Sequence, residues 1–195
     1  MSTRSFIARP VNGTGYSGIQ VQLDGQPSHH LPLLLTAYQY RWARSVEAMT
    51  RHLVDDVTVG WDELGTDLLD GAPPALVSSL VGDERWPSRT LDHLVTPDGS
   101  PPVRMSVTDA TVEDQDMQWG YVLHGSGIEV ISLMNEDLGP MVRWSTDPRS
   151  AFSDDPAAWS SLAAAPVRAP RTAPAPHAPT AVPRSPAPAR TVPHR

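Results

Sequence analysis

GIQVQLDGQPSHHLPLLLTAYQY, residues 18–40, is where the chain changes period. Ile19, Val21 and Leu23 alternate with Gln20 and Gln22, the two-residue repeat of a half-buried strand. A turn-forming stretch follows, Asp24-Gly25-Gln26-Pro27-Ser28. Beyond it Leu31, Leu34, Leu35, Tyr38, Trp42, Val46, Met49 and Leu53 recur at helical spacing, which predicts one long amphipathic helix over residues 31–56. Ser28 is one candidate cap; Pro32 in the first turn would instead move the cap to about His30.

Upstream, Ser5-Phe6-Ile7-Ala8-Arg9-Pro10 is a second apolar run, joined to the first by a glycine-rich segment that starts with Asn12-Gly13, so the two strands read as an antiparallel hairpin. The linker completes a literal G-x-G-x-x-G over residues 13–18, but a phosphate-binding loop of that type needs a helix after its third glycine, and here a strand follows. Downstream, Trp61, Leu64 and Leu68 predict a short helix ending near Gly71, and Pro73-Pro74 opens another with Leu76, Val77 and Leu80. Residues 82–102 read as loop and turn. The strand period returns over residues 103–108, 118–124, 128–133 and 141–145, with an acidic connection over residues 109–116 and a hairpin turn at Gly125-Ser126-Gly127. A last short helix is expected from Asp155-Pro156, burying Trp159 and Leu162.

The fold expected is therefore a single α+β domain over residues 1–162, an antiparallel sheet of about five or six strands with the long helix on one face, plus short helices. Residues 163–195 hold nine of the 21 prolines, with alanine and arginine and no periodicity, and are expected to form a disordered Pro/Ala/Arg-rich tail. Ten arginines and all 22 carboxylates fall in residues 1–162, a net charge of −12; the tail has five arginines and no carboxylate, a charge of +5. Such a body repels phosphates, so nucleic acid is an unexpected partner for it, and only the tail could attract one weakly. No apolar run approaches a membrane span or a signal peptide's core, so the chain is expected to be cytoplasmic and without a membrane partner.

Absent residue types exclude chemistries. All 15 basic residues are arginine, which removes Schiff-base lysines and the phosphate-binding lysine of a Walker loop. With no cysteine there is no disulfide, thiolate nucleophile or cysteine-ligated metal. The remaining chemical candidates are Asp24, His29 and His30, a carboxylate and two imidazoles near the strand-to-helix turn that could share a divalent metal or a proton. Adjacent histidines on a helix point about 100° apart, so another segment would have to contribute, with His52, His93 and His124 available. Most of the six tryptophans read as core, with Trp86, beside a proline, the one expected to be exposed.

The opening STRSFIARP, the segment IQVQLDGQPSHHLPLLL, the run WDELGTDLLDG over residues 61–71 and QWGYVL over residues 118–123 with GIEVI over 127–131 resemble a family of uncharacterised actinomycete and phage-associated proteins with no established activity. The likeness covers roughly residues 2–159, and Leu23 and Gln26 stand where it leads one to expect tryptophan and tyrosine. The function expected is that of a non-enzymatic accessory protein of bacterial or mobile-element origin that needs no cofactor and acts through contacts with an unknown protein partner. The alternatives are a metal-dependent hydrolase or nuclease centred on Asp24, His29 and His30, and an acidic nucleic-acid mimic that engages a DNA-binding protein.

Overall fold

A computed structural model describes residues 3–11, 15–94, 97–134, 138–155 and 163–164. The first hairpin forms as its alternation predicts: β1 (Ser5–Pro10) pairs antiparallel with β2 (Tyr16–Val21), Ser5 opposite Val21 and Pro10 opposite Tyr16. The sheet grows from both of its edges. Beyond β2 stand β3 (Trp61–Glu63) and β4 (Arg89–Thr90), while β5 (Ser106–Thr108) pairs with the opposite end of β2. Beyond β1 stand β6 (Trp119–His124), β7 (Gly127–Ser132), β8 (Leu138–Arg143) and the two-residue β9 (Ala163–Ala164), which pairs with β8.

The order β4-β3-β2-β1-β6-β7-β8-β9, with β5 beside β2, makes nine strands among the described residues rather than five or six, and the sheet is mixed rather than antiparallel. β1 runs parallel to β6, and β2 parallel to β3. Alternation identifies a strand but carries no information about its partner's direction; long connections, unlike hairpins, can bring strands together in parallel.

The predicted long helix is two helices with a corner. α1 (Pro27–Thr36) continues into a π-helical turn, Ala37–Arg41; α2 (Val46–Thr50) continues into a second, Arg51–Asp55. Between them Ala43 (φ 46°) and Arg44 (φ 67°) adopt the left-handed conformation, and the Arg44 N–H closes onto the Tyr38 carbonyl at 2.7 Å. A left-handed residue commonly ends a helix, and it is usually glycine or asparagine. Neither stands here, which is why periodicity ran straight through the corner. The Ser45 hydroxyl then restarts the helix by accepting from Ala48 N at 3.1 Å. The helix read from Trp61 is instead β3 followed by a short 3₁₀ turn, Thr66–Leu69, because Trp61 reaches the core from a strand and donates its indole N–H to Leu53 O at 2.9 Å. The helix after Pro73 forms as expected, α3 (Pro74–Val81). The first two residues of the expected tail, Ala163 and Ala164, pair with β8 as β9 instead of being disordered, because their backbone groups extend that strand's edge. The expected terminal helix beyond Asp155, with Trp159, and the tail from residue 165 onward lie outside the described residues.

Two cores result. On one face Ile7, Ile19, Val21, Tyr121, Val130 and Val142 pack beneath Leu31, Leu34, Leu35, Met49 and Leu53 of the helices. On the other, Phe6, Ala8, Tyr16, Val122 and Ile131 lie beneath Val107, Val112 and Met117. Phe6 stacks on Tyr16 at 4.9 Å and occupies the space over Gly120, whose missing Cβ would fall 2.1 Å from the ring.

Candidate functional site

The strand-to-helix turn is pinned from two sides. Gly25 donates its N–H to Thr3 O at 2.9 Å and accepts the Tyr121 hydroxyl at 2.7 Å; a Cβ there would fall 2.4 Å from Ser5 Oγ. Pro27 is the first helical residue, and neither Ser28 nor His30 is the cap: Gln26 holds that position without a side-chain bond. Pro32 lies inside the helix, where its missing N–H would otherwise pair near the first turn. A distant carboxylate serves the helix end instead, Asp154 Oδ1 accepting from Ser28 N at 3.3 Å.

This start places the sequence candidates apart in environment. Asp24 is exposed, with φ 51° in the turn. His30 is fully buried, its Nδ1 3.5 Å from Ser5 Oγ and its ring 5.2 Å from that of Tyr121. Burial, then the neighbouring His29, holds its pKa well below the ordinary imidazole value, so it is neutral near neutral pH. Burial, then Asp154, pushes the Tyr121 phenol well up. His29 is half-buried and stacks on Trp86, ring centres 5.8 Å apart and 25° between planes. Among the described residues no three His, Asp or Glu side chains stand together as a metal-binding group. The other candidates have partners elsewhere: His52 lies between Trp42 and Trp61, His93 Nδ1 meets Thr90 O, and His124 Nε2 meets Glu129 Oε2 at 2.8 Å.

Sequence reasoning missed Gln26. In the first turn of α1 the buried Gln26 Oε1, His29 Nε2 and His30 Nε2 each lack a hydrogen-bond partner. Buried polar atoms are nearly always paired, and three exceptions in five residues mark this turn out. Positions 26, 29 and 30 are i, i+3 and i+4, which would have been visible had the helix been started at Pro27.

Trp86 connects this turn to a cleft of about 510 Å³ lined by Asp67, Asp70, Pro74, Val77, Arg85 and Trp86 itself. Trp86 is half-buried, and so is Trp42, which the sequence reading puts with the core; Trp61, Trp119 and Trp144 are buried. Its loop is tied down: the Trp86 indole donates to Leu64 O at 3.2 Å, and its backbone exchanges bonds with Thr66. Asp67 accepts from Ser88 N and Oγ, both at 2.6 Å, and from Arg41 at 2.9 Å. Burial works against that carboxylate, but the Ser88 bonds and then Arg41 outweigh it, and its pKa is lowered. The cleft wall is therefore tied by several hydrogen bonds and carries the Asp67 carboxylate in its charged form near neutral pH.

Comparison with protein-family models, curated proteins and solved structures finds no match for this chain. The resemblance drawn from its motifs accordingly carries no activity to it. No helix among the described residues is long and apolar enough to cross a membrane.

Proposed function

We propose that this protein is a non-catalytic accessory protein that works by gripping another protein at the cleft between α3 and Trp86. The observation that supports this is α3 itself. Its sequence PALVSSLV is largely apolar, yet none of its residues is buried, although Val77, Leu80 and Val81 touch the core with part of their surface. An apolar helix left half in water beside an open, shallow cleft is the kind of surface that associates. Asp70, exposed over most of its side chain though 3.8 Å from Arg41, and the exposed Asp83 and Glu84 after α3 outnumber Arg85 on that side, which fits a partner that brings arginine or lysine around an apolar anchor.

The reading is tested by capture from cells of the source type with the wild-type chain and with Val77→Arg and Leu76→Arg. A specific partner held by the wild type and lost by both variants, at unchanged melting temperature, is the expected result. The same captured proteins from all three chains would overturn it.

A further inference from the structure

We propose that the first turn of α1 binds one divalent transition-metal ion through His29 Nε2, His30 Nε2 and Gln26 Oε1, with Asp24 outside the site. The three atoms are buried and unpartnered. Gln26 is the extended residue that precedes the helix, so it supplies the non-helical contribution that two adjacent helical histidines, pointing about 100° apart, need in order to share one ion. Side chains on a helix lean towards its N-terminus, so both rings lean back over the turn that carries Gln26. The ring centres of His29 and His30 lie 5.7 Å apart with 45° between planes. Two imidazoles that each reach one ion at about 2.0–2.1 Å stand with their centres roughly 5–6 Å apart.

The surroundings favour a cation over an anion. Gln26 Oε1 offers a lone pair, and each Nε2 offers one when the ring proton is on Nδ1. Ser5 Oγ lies 3.5 Å from His30 Nδ1, where it can take that N–H, fix the tautomer and leave Nε2 free to coordinate. Asp154, against Ser28 N, already supplies the helix end with a negative charge. A second anion there would meet that carboxylate, whereas a cation would be balanced by it. Two imidazoles and one oxygen suit zinc, nickel or copper better than calcium or magnesium, whose ligands are oxygens. The site is separate from the α3 cleft, although Trp86 touches both, and its failure leaves the docking reading standing.

The test is calorimetric titration of the full chain with zinc and nickel, with melting temperature as a second readout. The expected result is saturable 1:1 binding that raises the melting temperature. His29→Gln, at a half-buried position chosen to spare the fold, should weaken affinity at least about tenfold, and Gln26→Ala should weaken it less. Asp24→Asn and His93→Ala should leave it unchanged. No saturable binding by the wild type overturns the proposal, as does binding that survives His29→Gln. A site lost with Asp24→Asn would likewise overturn this ligand set, in favour of the one the sequence first pointed to.

Discussion

Single residues set several tight tolerances in this molecule. Gly120 exists so that Phe6 can lie across the sheet, and a methyl group there would collide with a buried ring that is itself stacked on Tyr16. Gly120→Ala should therefore destabilise the fold by about 1–3 kcal/mol, measured by denaturant unfolding; an unchanged midpoint would show that the ring can move aside. His30 sets a pH limit. Its folded pKa lies below the ordinary value of 6.5, so the unfolded chain binds the extra proton first. Its contribution is constant above about 6.5 and is lost progressively as pH falls below it. His52, lowered first by burial and then by Arg41, adds in the same direction. Asp67, lowered relative to 3.8, acts in a more acidic window, its contribution present above that value and lost as pH falls further. Melting temperature should thus decline on mild acidification, and His30→Leu should flatten the decline if it folds; a wild-type curve flat through pH 5 would contradict the assignment. None of this was legible at residue level in the sequence, where His29 and His30 look alike and only packing makes one neutral and buried.

Secondary-structure elements were legible where a side-chain period ran unbroken and a turn residue ended it. The hairpins β1–β2 and β6–β7 satisfied both conditions, as did α3 after its proline pair. The helical corner met the first condition and failed the second: the period ran on through it, while two L-residues occupy left-handed geometry that glycine would signal. That geometry costs an L-residue roughly 1–2 kcal/mol, so Arg44→Gly should raise unfolding free energy by about 0.5–1 kcal/mol. An equilibrium unfolding comparison decides it, and a loss of stability would mean that the arginine side chain contributes more than the strain it carries. Ser45→Ala should cost about 1 kcal/mol through the lost cap. The start of α1 escaped the sequence for a different reason: its polar partner, Asp154, arrives from 126 residues away. Asp154→Ala should lower stability by about 0.5–1 kcal/mol.

On the scale of the whole molecule, the sheet's order was beyond sequence reasoning because its central pairing joins β1 to β6 across the intervening half of the chain. Contacts of that separation predict folding in milliseconds to seconds. Stopped-flow tryptophan fluorescence measures this directly, and microsecond refolding would be inconsistent with the topology. The α+β character, by contrast, could be read early, because it depends only on which periods occur and not on how they meet. The parallel pairing also has a consequence for the ribosome. β1 is synthesised roughly a hundred residues before β6, which at 5–20 residues per second is about 5–20 s. During that interval the first hairpin carries an open edge of unpaired amides and carbonyls, flanked by Phe6 and Ile7, with its eventual neighbour not yet translated. For this chain, the period of greatest exposure to sticking comes during synthesis, and whatever shields nascent strands in its cell matters most then.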